Sequence, residues 1–163
     1  MSALPPVVVM GVSGSGKTTI ARGVADRLGL RLVEGDELHP AANVAKMASG
    51  VPLDDEDRRP WLDAVAERLE PGVVVTCSAL KRSYRDRLRA AAPDLIVLYL
   101  DVPREVLAAR VAHRVHEYMP ATLLDSQLAT LEKPLNENGV VVLDGTRTPD
   151  EIVTAATERL ETS

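Results

Sequence analysis

The sequence predicts an α/β fold built on a parallel sheet, and three observations carry that prediction. Short apolar runs of strand length alternate with stretches of helical periodicity. The first run, Val7-Val8-Val9-Met10, leads directly into a glycine-rich turn, and the turn into a helix pattern. The alternation is never interrupted. No repeat, low-complexity tract or linker divides the 163 residues, so a single domain over 1–163 is expected.

Residues 7–10 are wholly apolar, as a strand covered on both faces requires. Ile20, Val24 and Leu28 then recur every four residues and mark one buried helix face. Residues 30–33 read as a second strand that closes on Glu34-Gly35-Asp36. The polar stretch 39–59 holds a short helix around 41–48. Pro60 can open the next helix at its first position, where a missing N–H costs nothing, with Trp61, Val65 and Leu69 inward. Val73-Val74-Val75 is the third strand and ends at Thr76-Cys77-Ser78. Leu80, Tyr84 and Leu88 mark one side of a helix over about 81–91. Residues 95–100 are the fourth strand, and 103–113 a helix carrying Val106, Leu107 and Val111. Residues 113–121 are polar and irregular, and 122–131 are helical again. The fifth strand is 140–143, and the last helix is 148–160, with Ile152, Val153, Ala156 and Leu160 inward.

Bulk properties exclude several function classes. A net charge of −5 argues against a protein built to bind nucleic acid. Cys77 is the only cysteine, which rules out an internal disulfide and a cysteine zinc site and fits a reduced, cytoplasmic setting. No apolar stretch is long enough to cross a membrane, and the first residues lack the basic start of a signal peptide. With no Phe and one Trp, the core must rest on Val, Leu, Ile and Ala.

The turn after the first strand, Gly11-Val12-Ser13-Gly14-Ser15-Gly16-Lys17-Thr18, satisfies G-x-x-x-x-G-K-[ST], the phosphate-binding loop. Its glycines let the backbone fold around an anion, and the helix N-terminus behind it adds N–H donors. Residues 11–18 and Thr19 are therefore assigned to a nucleotide. Lys17 reaches its outer phosphates, and Thr18 offers a hydroxyl to Mg²⁺. In open α/β sheets ligands gather beyond the carboxyl ends of the strands. That rule selects a rim of 11–18, 34–39, 76–81, 101–103 and 144–147, so Arg147 joins the nucleotide set.

Phosphoryl transfer needs a metal, cations on the transferring group and a base for the attacking hydroxyl. The third strand ends without a carboxylate, and the nearest substitutes are Glu34 and Asp36. Residues two apart in an extended stretch point the same way, so both can face the phosphates. Asp36 is the candidate base, and either carboxylate can meet Mg²⁺ through water. An ordinary acidic turn would carry the same spacing. Lys81 and Arg85 stand at i, i+4 on the rim, and Arg58 precedes the Pro60 helix; such cations can receive an acceptor's carboxylate. A solvated helix face is the alternative. His39 stands alone before Pro40. Arg110 and Arg114 bracket the start of the 113–121 segment, where small kinases keep a mobile lid; Arg110 could cover an adenine face.

Further runs then become recognisable. Gly35-Asp36-Glu37-Leu38-His39-Pro40, Asn43, Lys46-Met47, Gly50-Val51-Pro52-Leu53, Asp57-Arg58-Arg59-Pro60-Trp61-Leu62, Cys77-Ser78-Ala79-Leu80-Lys81, Tyr84-Arg85-Asp86 and Leu123-Leu124-Asp125-Ser126-Gln127 closely resemble gluconate kinases of the small P-loop type. The match runs in order over nearly the whole chain. The resemblance implies a three-layer P-loop kinase fold, with a parallel sheet of order 2-3-1-4-5, a mobile lid over about 113–127, and kinship with shikimate and adenylate kinases. It implies ATP- and Mg²⁺-dependent phosphorylation of the C6 hydroxyl of D-gluconate, frequently by a homodimer. It places Lys17, Asp36 and Arg114 in catalysis, Arg110 on adenine, and Asp36, His39, Lys46, Arg58, Lys81 and Arg85 on the acceptor side. Other readings keep the fold but change the acceptor to shikimate or another sugar acid, or make the chain a non-catalytic ATP sensor. Two departures stand out: Glu34 replaces the first Asp of the family's Asp-Gly-Asp, and Arg114-Val115-His116-Glu117-Tyr118 replaces its Arg-Lys-Gly-His-Phe.

Overall fold

A computed structural model describes residues 4–12, 14–112 and 121–162. Five strands, β1 (Val7–Met10), β2 (Arg31–Glu34), β3 (Val73–Thr76), β4 (Ile96–Asp101) and β5 (Val140–Asp144), form one sheet of order β2-β3-β1-β4-β5. Every neighbouring pair is parallel. The helices are α1 (Lys17–Leu28), α2 (Ala41–Ala48), α3 (Asp55–Glu67), α4 (Arg82–Ala91), α5 (Arg104–Ala112), α6 (Ala121–Thr130) and α7 (Pro149–Glu161). This is the expected sheet, in the expected order.

Alternation along the central strands builds the layers. Val7 and Val9 of β1 point to one face, where Ile20 and Val24 of α1 meet Ile152, Val153 and Leu160 of α7. Val8 and Met10 point to the other, against Trp61, Leu62 and Val65 of α3 and Tyr84 and Leu88 of α4. A smaller cluster, Val12, Leu80, Val102, Leu107 and Leu124, seats α5 and α6 beside the phosphate-loop segment. The aliphatic core is as expected, but the few aromatics are also spent inside, with Trp61, Tyr84 and Tyr99 all buried.

Two local readings change. Pro60 does not open α3. Asp54 caps that helix by accepting from the Asp57 N–H, and Asp57 caps back to the Asp54 N–H, so the helix starts five residues earlier and Pro60 lies inside it. The cost is one intrahelical hydrogen bond, since Pro60 has no N–H to offer. The second change follows β2: residues Gly35–Leu38 form a 3₁₀ turn, not an extended stretch. Gly35 is obligatory there, because a Cβ would stand 1.9 Å from the Thr76 carbonyl oxygen. Residues 113–120, which include Arg114 and most of the expected lid, and Ser13 of the phosphate loop lie outside the described residues. Among the described residues no helix is long and apolar enough to cross a membrane.

Candidate active site

At the carboxyl ends of β1, β2 and β3 opens a cavity of about 710 Å³. One end is the phosphate loop. Gly14 and Gly16 sit at φ +86° and +94°, the left-handed region that side chains avoid, and they turn the chain into α1. Val12, Gly14, Gly16, Lys17, Thr18 and Thr19 line this end. Ser15 belongs to the same turn but faces inward, with its N–H spent on the Val12 carbonyl. Lys17 is buried; its Nζ donates to the Gly11 carbonyl at 2.9 Å and lies 3.4 Å from the Asp36 carboxylate.

The acidic pair faces this loop by a route the extended-strand argument did not foresee. Glu34 ends β2 and accepts from the Thr18 hydroxyl at 3.1 Å and the Thr76 hydroxyl at 2.8 Å. The 3₁₀ turn then carries Asp36 round to Lys17. Glu34 Oε1 is buried without a hydrogen-bond partner. A hydroxyl beside an underused carboxylate oxygen suits Mg²⁺, a hard cation that keeps several waters and leans on phosphate oxygens. Among the described residues there is no group of three or more His, Cys, Asp or Glu side chains that could hold a metal alone. A metal here would therefore need the nucleotide's own oxygens.

The other end of the cavity is made of side chains. His39 stacks on Trp61, with ring centroids 4.3 Å apart, and Trp61 is fixed by donating to the Gly35 carbonyl. Burial pulls the His39 pKa down to about 4; Asp36 opposes the shift, and Arg58 and Lys17 add to it. The ring is thus neutral at pH 7. The Asn43 amide lies 3.3 Å from Nδ1, so a ring accepting there carries its proton on Nε2. Arg58, only 8% exposed, also lines the cavity. Its Nη1 donates to the Tyr84 hydroxyl at 2.9 Å, and that hydroxyl donates to Asp55. Burial and the bond to Asp55 both push the Tyr84 pKa up, which keeps the phenol a donor.

The remaining sequence candidates are placed differently. Lys46 donates to Asp57, and Lys81 to Asp55; neither lines the cavity. Arg85 is fully buried and wholly engaged elsewhere. It donates to the carbonyls of Ala79, Leu80 and Glu132 and forms a two-pronged pair with Glu137, which also binds Arg89. The i, i+4 argument failed because Lys81 is the N-cap of α4, with extended φ −100° and ψ 149°, so the two side chains do not share a helical stripe. Arg110 reaches the phosphate loop but meets its back: it donates to the carbonyls of Gly14, Ser15 and Gly145. Arg147 is exposed, 3.8 Å from Asp144 and 3.7 Å from Glu151.

Sequence reasoning gave no site role to Asn43, Trp61 and Tyr84, and placed Thr76 on the rim without a role. Trp61 and Tyr84 carried only a helix-face signal, which buried their polar atoms in an apolar pattern. An aromatic with a hydrogen-bonding tip on a rim helix was the available hint.

Comparison with known proteins bears on this geometry. A family model described as an AAA domain matches residues 7–134. A gluconokinase of Gluconobacter oxydans (strain 621H) is 49% identical over 153 residues, covering 90% of this chain and 86% of the relative. The crystal structure of a gluconokinase from Sinorhizobium meliloti 1021 superposes with a TM-score of 0.91 at 48% identity, covering 99% of this chain and 94% of that one. Shikimate kinase from Aquifex aeolicus shares the fold alone, with a TM-score of 0.59 at 17% identity and 96% of each chain covered.

Proposed function

The chain belongs to the gluconokinase family of P-loop kinases, and from that membership we propose that it transfers the γ-phosphoryl group of ATP to the C6 hydroxyl of D-gluconate. One observation carries the reading: the Asp36 carboxylate lies 3.4 Å from the phosphate-loop lysine, at the junction of the cavity's two ends. A hydroxyl at that junction has a base beside it and a cation on its electrophile.

The acceptor oxygen forms a bond to the γ-phosphorus, and the bond from that phosphorus to the β–γ bridging oxygen breaks. The hydroxyl proton passes to Asp36, and ADP leaves with the electron pair. Lys17 balances charge on the transferring group, and the glycine-rich backbone holds it in line. Mg²⁺, when bound, withdraws charge from the phosphate oxygens; Thr18 would hold it directly and Glu34 through water. His39, neutral and stacked, offers an Nε2–H to acceptor hydroxyls, and Arg58 offers a cation to its carboxylate. Arg110, by holding the loop carbonyls, keeps the phosphate cradle in shape. The cytoplasm suits the lone thiol Cys77, which is buried and pushed up to about 12 by that burial.

The test is a coupled ADP-release assay with Mg·ATP against gluconate, shikimate, gluconate's epimers and AMP. Turnover confined to gluconate is the expected result. Turnover on another acceptor would overturn the substrate while keeping the transfer chemistry. Tight ATP binding with no turnover on any acceptor would make the chain a sensor.

A further inference from the structure

Among the described residues that line the cavity, Lys17 and Arg58 are the only cations, given a neutral His39. Lys17 is committed to the phosphate loop and Asp36. Arg58 is therefore the cation left for an acceptor. A buried guanidinium ordinarily has a carboxylate directly on it. Here, among the described residues, the nearest arrangement is indirect: Arg58 Nη1 donates to the Tyr84 hydroxyl (2.9 Å), and that hydroxyl donates to Asp55 (2.5 Å). Lys81 reaches the same Asp55 carboxylate at 2.9 Å. Both cations also face the Tyr84 ring, at 5.5 Å and 5.7 Å from its centroid.

Two cations share one carboxylate, so the cluster holds one positive charge in excess. The tyrosine is the reason. Its hydroxyl bridges Arg58 and Asp55 and takes the place of a direct ion pair between them. We propose that Tyr84 is a positioning residue for acceptor recognition, a neutral spacer that keeps Arg58 undercompensated until a monoanionic carboxylate completes the pair. The inference rests on the gluconate reading and deepens it, because it assigns the selectivity for an acid over a neutral polyol to a residue behind the cavity wall.

The experiment uses the full chain and two acceptors, gluconate and its neutral amide, gluconamide. Tyr84→Phe keeps the ring against both cations and removes only the hydroxyl. The gluconate KM should rise ~10-fold, the scale of a hydrogen bond to a charged group. The KM values for ATP and gluconamide should stay within about twofold, as should kcat. Equal losses on both acceptors, or an unmoved gluconate KM, would make Tyr84 a packing residue and overturn the proposal. Asp55→Asn provides an independent reading at an exposed position. It leaves the tyrosine an acceptor but removes the charge, so the gluconate KM should fall ~2–5-fold while gluconamide stays unmoved. A gluconate KM unmoved in that variant would also overturn the spacer role. Wild-type protein in the same assay separates the two ideas: turnover of gluconate leaves Tyr84 alone on trial, and its absence removes the substrate reading and this inference together.

Discussion

The two ends of the cleft are built by different means. The phosphate-loop end is one consecutive stretch shaped by backbone geometry, with glycines at φ +86° and +94° and one lysine. The end proposed for the acceptor is assembled from side chains on the β2 turn, α2, α3 and α4: Asp36, His39, Asn43, Arg58, Trp61 and Tyr84. A backbone-built site is stiff and indifferent to what lies beyond the phosphates. A side-chain-built site can be retuned one residue at a time. Among the described residues the two are joined by the ion pair of Lys17 with Asp36.

That contact is where the contrast breaks most severely. Lys17→Ala removes the bonds to the Gly11 carbonyl and to Asp36. It should lower kcat/KM by ~10³–10⁵-fold, the scale of a cation on a transferring phosphoryl group, and weaken binding of a fluorescent ATP analogue. A loss under tenfold would mean that the loop backbone suffices alone. Asp36→Asn should lower kcat by ~10²–10⁴-fold and leave nucleotide affinity unchanged. If affinity fell in parallel, Asp36 would belong to the phosphate end, and the two-part division would be wrong.

Smaller effects test the scaffold on which α4 rests. Arg85→Met strands the Glu137 carboxylate, which is 7% exposed, with Arg89 alone left to pair it among the described residues. Unfolding in urea should show a loss of ~3 kcal/mol, and adding Glu137→Leu should recover most of it. An unchanged midpoint in the single variant would remove Arg85 from that role. Acid provides a gentler probe of the same pair. The Arg85 and Arg89 guanidinium groups hold the Glu137 carboxyl at about 2, below its ordinary 4.5. Because the folded value is the lower one, the stabilisation is complete above about pH 4.5 and is lost as pH falls toward 2. Stability of wild type against Glu137→Gln, followed from pH 6 down to about 3, should converge as the pH drops. Parallel curves would exclude the linkage. The smallest effect concerns Ala79, held at φ +43° in a region that favours glycine. Ala79→Gly should raise stability by ~0.5–1 kcal/mol by relieving that strain, as measured by thermal unfolding.

What could be read from the sequence follows the same division. The phosphate loop was legible because its chemistry is contiguous, and the strands because buried parallel strands are written as unbroken apolar runs. Val73–Thr76 and Ile96–Asp101 fall within a residue of expectation at either end. Pro60 misled because proline at a helix start is a stronger habit than the reciprocal Asp54–Asp57 cap that overrode it. Asp36 was aimed correctly for the wrong reason, since a 3₁₀ turn and not an extended strand brings it to Lys17. Arg85 looked like a rim cation because one residue of helix boundary decides whether Lys81 shares its stripe. Tyr84 and Trp61 were legible as core and silent as site, because a polar tip on a buried ring reveals its partner only in three dimensions.

The buried pair of Arg85 with Glu137 also has a consequence for the order in which the protein is made. Arg85 and its carboxylate partner Glu137 stand 52 positions apart in the chain. Arg110 is likewise separated from the Gly14 carbonyl by 96 positions. β1 is paired on both sides, with β3 and β4, and its following turn is held by Arg110, so the phosphate end also waits for residues far down the chain. Non-local closures of this kind are slow, so neither the buried pair nor the braced loop should be complete until most of the chain has been made.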